Sequence, residues 1–537
     1  MQKPTKACIF SHSNHIAFDP TMITKHDIRI EKTQITWQEL WQDVQTQATE
    51  FVDLSKGSWT ELDFPDYVLP SVKVLGLSYH QSGILKLNIP AQVFPNLEYL
   101  FVYQSQVQYF EIEGIFAHLK ELNLAGNQLT HIPEDFLDRV PGLEWLVLKG
   151  NDIKNIRESV LEEENCLESL RATLESFRKG TQKNTEIKLI LMGNSTVGKT
   201  TLAKLLAGED IEQTEDSTHG ILVSKIKIPD TEIIAYCWDF GGQEYYHATH
   251  RLFLNDNAVY CVLWYTATNQ QGFFGGFIHK NQKKIPVTLE HYPYDYWLDN
   301  IRHYAPQSPI LLVQSRKESR QLPDNKVLEK YKIPAEDVHH ICVHTHLKEP
   351  AVNANSEWKR YYDNFYERLK HIAQETAEKS FTLGKYWVMI CDKIREYAEK
   401  GEYRWTYADY KQVCREIDPS LEDAELHELS KYLIEIGVIL YYPQNKALAD
   451  VVFVSPTWVT DRIYEILDDK VQKANGKFDL PHIRQSLIAH EVCEAEEVEN
   501  LSQEILALMA KDGLSLFFPP KTSLMNIMPS SICPISI

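Results

Sequence analysis

Ile187-Lys-Leu-Ile-Leu-Met-Gly193-Asn-Ser-Thr-Val-Gly198-Lys-Thr200-Thr201 is the stretch that decides how the rest of the chain is read. An apolar strand runs into the pattern G-x-x-x-x-G-K-[ST], from Gly193 to Thr200, and Thr201-Leu-Ala-Lys-Leu-Leu-Ala continues with the spacing of an amphipathic helix. Strand, glycine-rich turn and helix N-terminus bring backbone N–H groups to one point, which suits a nucleoside polyphosphate. Gly193, Asn194, Ser195, Thr196, Val197, Gly198, Lys199, Thr200 and Thr201 are therefore candidate nucleotide contacts.

Outward from this loop, residues from about Glu186 to Lys370 alternate strand and helix patterns. Strands are expected at Ile187 to Met192, Ile221 to Ile228, Ile233 to Trp238, Ala258 to Tyr265, Ile310 to Gln314 and His339 to Val343. That alternation predicts a doubly wound sheet with its ligand site at the carboxyl ends of the strands. The third strand ends in Asp239-Phe-Gly-Gly242-Gln243-Glu244, a match to the D-x-x-G-Q of guanine-nucleotide switches. Each residue type has a task there. Lys199 neutralises β and γ phosphates, Thr200 ligates Mg²⁺, and Asp239 holds the ion through water. Gly242 offers a backbone N–H that no side chain screens, and Gln243 orients the attacking water. Thr218 stands where a switch threonine completes the Mg²⁺ shell, with Ser217 and Thr214 as near alternatives. The candidate catalytic residues are Gln243 and Lys199, and the candidate metal residues are Thr200, Thr218 and Asp239.

Composition narrows the class. At 537 residues and 43% hydrophobic, the chain is long enough for three or four domains with real cores. A net charge of -20 argues against a general nucleic-acid or anionic-membrane surface, both of which need a positive face. Nine cysteines, none in a C-x-x-C pair, suggest neither zinc nor a disulfide framework and fit a reducing cytosol. The N-terminus lacks the apolar core of a signal peptide, and no apolar run reaches the length of a membrane span.

From Val72 a repeat of about 22 to 25 residues emerges. It reads Val72-Lys-Val-Leu75-Gly-Leu77, Leu97-Glu-Tyr-Leu100-Phe-Val102, Leu119-Lys-Glu-Leu122-Asn-Leu124-Ala-Gly-Asn127-Gln-Leu129 and Leu143-Glu-Trp-Leu146-Val-Leu148-Lys-Gly-Asn151-Asp-Ile153. This is the leucine-rich pattern, in which short strands point leucines inward and an asparagine bonds backbone where the chain turns. Glu158 to Lys179 is expected as a helical cap to the stack. Tyr99, Phe101, Tyr103 and Trp145 fall on the solvent side of the strands, as a partner-binding patch or as a seat for the chain's own N-terminal segment.

The run Asp239-Phe-Gly-Gly-Gln-Glu-Tyr-Tyr-His-Ala-Thr-His-Arg-Leu-Phe-Leu-Asn-Asp-Asn-Ala-Val-Tyr, with Ser217-Thr-His-Gly-Ile before it and Tyr296-Trp-Leu after it, closely resembles the Roc GTPase domain of Roco proteins. Gly437-Val-Ile-Leu-Tyr-Tyr and Ala449-Asp-Val-Val-Phe-Val-Ser-Pro456-Thr-Trp458-Val resemble their COR domain. The resemblance covers about four fifths of the chain. It implies a cytosolic switch that binds GTP and GDP with Mg²⁺ and whose COR region couples nucleotide state to partners or dimerisation. Where Ras-like GTPases read the base with N-K-x-D, this chain has Ser315-Arg316-Lys-Glu318, which retains a carboxylate and an aliphatic stem but not the asparagine amide. Ser195 stands where many fast switches carry glycine, so slow intrinsic hydrolysis is expected. No arginine finger is identified; Arg251 reads as a surface residue, and a partner or second protomer is expected to supply that charge. The insert from Thr266 to Pro293 reads only as a loop near the nucleotide. Asp239-Phe-Gly also spells the kinase D-F-G, but no H-R-D or G-x-G-x-x-G loop accompanies it, so a kinase is rejected.

In the C-terminal third, Phe381 to Glu399 and Glu422 to Gly437 read as helices, followed by a strand pair, Val438-Ile-Leu-Tyr-Tyr and Val451-Val-Phe-Val. Helices and a two-stranded wing predict a winged-helix-like unit. With 16 basic against 25 acidic residues from Phe381 to Ile537, protein contact is favoured over DNA. The further COR subdomain that would mediate dimerisation in the family is not found, so a weak or nucleotide-dependent homodimer is expected. The fold class is thus multidomain α/β: a leucine-rich repeat solenoid, a Ras-like P-loop NTPase sheet and an α+β winged-helix-like COR region. The divisions are a cap at 1–70, repeats at 71–180, the P-loop domain at 186–375, the COR-like domain at 380–520 and a tail at 521–537. A nucleotide-gated scaffold with little hydrolysis and a signalling ATPase are the rival readings, with protein partners expected on the repeats and the COR region.

Overall fold

The computed structural model describes residues 28–29, 36–54, 62–77, 86–209, 221–241, 253–256, 258–280, 283–316, 318–342, 357–378, 382–471, 477–478, 480–489, 497–509, 517–518 and 525–527. The chain divides into two compact units, Met1–Arg178 and Lys179–Ile537.

The first unit is a leucine-rich solenoid. Its parallel sheet runs in the order Ile28–Arg29, Phe51–Asp53, Val74–Gly76, Tyr99–Phe101, Glu121–Asn123, Trp145–Val147. Leu75, Leu100, Leu122 and Leu146, at the middle of successive strands, are fully buried. The repeat asparagines act as the pattern requires. Asn127 accepts from the N–H of Ser105 and Val107 and donates to the carbonyl of Leu124, while Asn151 accepts from Leu129 and donates to Leu124 and Leu148. Each therefore stitches a turn to the preceding repeat, satisfying buried peptide groups that no strand can reach.

The sheet extends beyond the start expected at residue 71, because Phe51–Asp53 and Ile28–Arg29 belong to it. Between them the helix Trp37–Thr46 opens on a Thr36/Glu39 capping box and buries Leu40, Trp41 and Val44. At the other end the expected single helical cap is two helices, Glu158–Leu161 and Leu167–Arg178. Asn165 breaks it, accepting from the N–H of both Leu146 and Leu167. The aromatic residues expected on the face away from the leucines do lie apart from the main core, but they are covered there, and Trp145 is half-buried. Phe101 is buried and clusters with Phe51 and Val74, with Tyr99 and Tyr103 half-buried against them.

In the second unit, the six-stranded sheet has Ile221–Lys227 antiparallel to Ile234–Phe240, followed by Glu186–Met192, Ala258–Trp264, Ile310–Gln314 and Val338–His340 in parallel. The central strands are buried on both faces, as a sheet with two covers demands. Ile187, Leu189, Leu191, Val259, Cys261 and Leu263 face the helices Lys199–Ala207 and Glu357–Glu378. Ile190, Met192, Trp238, Phe240, Tyr260 and Val262 join the opposite core, to which the C-terminal helices Pro456–Val471 and Val498–Met509 contribute Ile463, Tyr464, Leu501 and Ile505. The C-terminal region thus completes the sheet's own core.

That region contains the helices Lys385–Glu399, Tyr407–Ile417 and Asp423–Glu435, with Arg404–Thr406 between the first two and Leu440–Tyr441 and Val451–Phe453 after the third. The order helix, strand, two helices, two strands is that of a winged helix, and its wing has three strands where two were expected. Thr406 and Asp409 form a capping box on Tyr407–Ile417, a helix absent from the sequence expectation. Among the described residues, no helix is long and apolar enough to cross a membrane.

Candidate functional site

The loop from Gly193 to Gly198 sits at the carboxyl end of the central strand, and its glycines are fixed by sterics. Gly193 has φ +139°, and a Cβ there would lie 2.2 Å from the Leu263 carbonyl oxygen. Gly198, with φ +98°, is the N-cap of Lys199–Ala207 and turns the chain into that helix. Thr196 also holds a left-handed φ of +65°.

Lys199 folds back over the loop. Its Nζ donates to the carbonyls of Gly193 at 2.9 Å and Asn194 at 2.8 Å. Burial lowers its pKa to about 8, while the nearby Asp239 carboxylate favours the charged form. One turn on, the Thr200 hydroxyl donates to Asp239 Oδ2 at 2.5 Å, although the two residues are 39 apart in sequence. A hydroxyl and a carboxylate oxygen side by side are hard donors, suited to a magnesium ion that takes its other ligands from water and phosphate. The residues present therefore fit that ion. Thr218, Gly242 and Gln243, with Arg251, lie outside the described residues.

At the position expected from the sequence to read the base, Ser315 is buried and its hydroxyl donates to the Val197 carbonyl at 2.6 Å, with the Trp264 carbonyl at 3.2 Å. Its side chain braces the phosphate loop. Arg316 donates to the Thr196 carbonyl at 2.5 Å and lies 5.1 Å from the centroid of the Tyr265 ring, and burial lowers its pKa. Glu318 Oε1 accepts from Thr266 N and Oγ1, both at 2.9 Å, and from Gln314 Nε2 at 2.7 Å. Burial raises that carboxyl's pKa, but these donors outweigh it and leave the value below the ordinary range.

Asn194 departs most from the expectation of a nucleotide contact. Its Nδ2 donates to the Thr268 and Tyr292 carbonyls at 2.8 and 2.7 Å, and its Oδ1 accepts from Tyr292 N at 3.0 Å. The side chain is therefore spent on structure. The segment it holds is an antiparallel hairpin, Gly272–Lys280 with Lys283–His291, where a loop was expected. Sequence reasoning missed this hairpin, and missed Lys188 and Trp238 on the neighbouring strands. The signal for Lys188 was a lone charge inside an otherwise apolar strand.

Three family models match in order: leucine rich repeat over residues 117–173, "Ras of Complex, Roc, domain of DAPkinase" over 188–318, and "C-terminal of Roc, COR-A domain" over 384–532. Among curated relatives, a Roc-COR-CHAT protease of an unknown prokaryotic organism is 27% identical over 450 residues, covering 78% of this chain and 39% of its own length. A Roc-COR-CHAT protease of Runella zeae is 24% identical, covering 67% of this chain and 40% of the relative. The probable serine/threonine-protein kinase pats1 of Dictyostelium discoideum is 23% identical over 57% of this chain and 10% of the relative. The chain thus spans two fifths or less of the length of these relatives. Among solved structures, Methanosarcina barkeri Roco2 RocCORdC bound to GDP aligns at 23% identity and TM-score 0.47, covering 65% of this chain and 96% of that one.

Proposed function

We propose, from the premise that this chain belongs to the Roco family by its leucine-rich repeats, Roc domain and COR-A domain in that order, that it is a slowly hydrolysing GTP switch read out by its COR region and repeats. The observation that carries this reading is the convergence of Lys199, Thr200 and Asp239 on one glycine-framed loop. Backbone N–H groups between Gly193 and Thr201 cradle the phosphates, and Lys199 turns its ammonium from the loop carbonyls toward the β and γ oxygens. Thr200 and Asp239, joined by Thr218, present the oxygens that would hold magnesium, which supplies charge neutralisation on the phosphates when bound. Gly242 donates to the γ-phosphate and Gln243 orients the water. Ser315 and Arg316 stiffen the loop under the base, and Glu318 reads the guanine edge through Oε2, since Oε1 already takes three protein donors. Ser195 crowds the water's approach and keeps turnover slow.

That same commitment of Glu318 Oε1 favours a second reading, a scaffold gated by nucleotide with weak base selection and little hydrolysis. Titration with fluorescent GDP, GTP and ATP analogues, then phosphate release by wild type, Lys199→Ala and Gln243→Leu, separates the two. The switch reading expects GTP preference, binding lost by at least about tenfold in Lys199→Ala, and slow turnover abolished in Gln243→Leu. ATP preference sinks it, and turnover equal to buffer leaves the scaffold.

A further inference from the structure

Three loops meet at the carboxyl ends of the sheet strands, and each is fastened to the other two. The phosphate loop receives the loop that follows Ile310–Gln314, where Ser315 donates to the Val197 carbonyl and Arg316 to the Thr196 carbonyl. The phosphate loop also holds the 3₁₀ turn Thr266–Thr268, since Asn194 Nδ2 donates to the Thr268 carbonyl at 2.8 Å. The third side joins that turn to the loop after Ile310–Gln314: Thr266 N and Oγ1 both donate to Glu318 Oε1 at 2.9 Å. A closed triangle fixes three loops relative to one another, where two sides alone leave a hinge.

The third side is the one that a base reader needs. Glu318 stands where N-K-x-D places an aspartate, and its extra methylene adds a rotatable bond, hence more freedom to lose when a base is bound. Gln314 and Thr266 remove that freedom beforehand. Gln314 is 1% exposed and commits its whole amide. Its Oε1 accepts from Gln321 N at 2.8 Å, while Nε2 donates to the Ser319 carbonyl at 3.0 Å and to Glu318 Oε1 at 2.7 Å. It therefore shapes the loop itself. Thr266 is exposed, and among the described residues its hydroxyl bonds Glu318 Oε1 alone. Glu318 is half-buried, and its Oε2 takes no hydrogen bond among the described residues. One oxygen is gripped and the other is left toward an open edge.

We propose that Thr266 is a positioning residue for base selection: by gripping Glu318 through one oxygen it presents the other, already aligned, to the guanine edge. The inference rests on the reading of this site as a guanine-nucleotide site. A carboxylate set in place before the base arrives has less freedom to lose on binding. Its second oxygen accepts from the ring N–H and exocyclic amine of guanine, and adenine offers a bare ring nitrogen and a C–H at those positions.

The test titrates the full chain with fluorescent GDP and ADP analogues. The proteins are wild type, Thr266→Val, Thr266→Ser, Glu318→Ala and the double variant of Thr266→Val with Glu318→Ala, each checked for folding by its thermal melt. Valine keeps the shape and backbone N–H of threonine and removes only the hydroxyl, which serine restores. Thr266→Val should lower the preference for GDP over ADP by about threefold and leave ADP affinity as in wild type, because one bond to the charged group is lost while the phosphate loop is untouched. Thr266→Ser should keep the wild-type preference, and Thr266→Val should change nothing further once Glu318 is alanine. A preference unmoved in Thr266→Val, an equal loss in Thr266→Ser, or a loss that persists in the Glu318→Ala background overturns the inference and leaves the hydroxyl as a brace for its own turn. Wild type with no preference for GDP fails the guanine reading itself and the inference with it, which tells the two failures apart.

Discussion

Glu318 shows how much one carboxylate is asked to do. Its Oε1 is saturated by Gln314 and by both donors of Thr266, so in the proposed function a guanine edge would meet only Oε2. A base held by one charge-assisted bond in place of two is held less selectively, by roughly 1.5–3 kcal/mol. Glu318→Gln should therefore weaken GDP by about tenfold, near 1.4 kcal/mol, because the amide cannot replace an accepting oxygen at both positions. ATP analogues, which present no matching donors, should change little. Competition titration against a fluorescent GDP analogue measures both, and a GDP to ATP ratio unmoved by the substitution removes Glu318 from base reading. The position was legible in the sequence, as was a carboxylate there. That Thr266 and Gln314 take one of its oxygens was not, because Thr266 lies 52 residues away and no periodic pattern records it.

At the scale of elements, the hairpin Gly272–Lys280 with Lys283–His291 hangs from Asn194 through three hydrogen bonds to its roots. Asn194→Ala leaves the peptide groups of Thr268 and Tyr292 without these partners, at about 1–3 kcal/mol for each buried group. The hairpin should be cut several-fold faster in limited proteolysis, and GTP should weaken less than it does in Lys199→Ala. Unchanged protection of the hairpin would show that the roots are held by something else. The sequence hid this element because Gly272, Gly275, Gly276 and Pro286 all read as loop, and 281 and 282, Asn-Gln, lack the glycine of a two-residue hairpin turn. Where the chain spells its geometry in a recurring pattern, it was legible: Asn127 and Asn151 stand at the same place in successive repeats, and the glycine-framed loop needs only its own motif. Three-residue strands such as Phe51–Asp53 and Arg404–Thr406 have no period to detect and exist only because a neighbour pairs with them. The helix Tyr407–Ile417 carried a legible signal in its Thr406/Asp409 capping box, which the reading by apolar spacing passed over.

Across the second unit, the Roc sheet and the COR region share one core, to which Phe253 and Leu254 also belong. At one corner Arg395 grips both oxygens of Glu186 at 2.9 Å and stacks 4.0 Å from the Tyr236 ring centroid. At another, Gly437 packs so closely that a Cβ would lie 2.8 Å from the Trp238 ring, and Asn255 donates to the Glu435 carbonyl at 2.7 Å. Between them Lys188 is buried in the central strand, donating to the Phe253 carbonyl at 2.8 Å with its ammonium 4.7 Å from the Trp238 ring centroid. Burial lowers its pKa to about 7, against a partial restoring pull from Glu435. The folded value lies below the unfolded one, so from about pH 7 up to the ordinary lysine range the unfolded chain binds more protons and folding stability rises with pH. The cost of the buried charge is present in full below pH 7 and is relieved above it. Lys188→Met should therefore flatten the dependence: between pH 7 and 9 the wild type should gain roughly 2 kcal/mol over the variant, from about 1.4 kcal/mol per unit where only the unfolded form is protonated. Denaturant midpoints across that range measure the difference, which cancels the titrations the two proteins share. Parallel profiles would mean that Lys188 keeps its proton at the seam, and that the joint between nucleotide sheet and COR region is indifferent to pH.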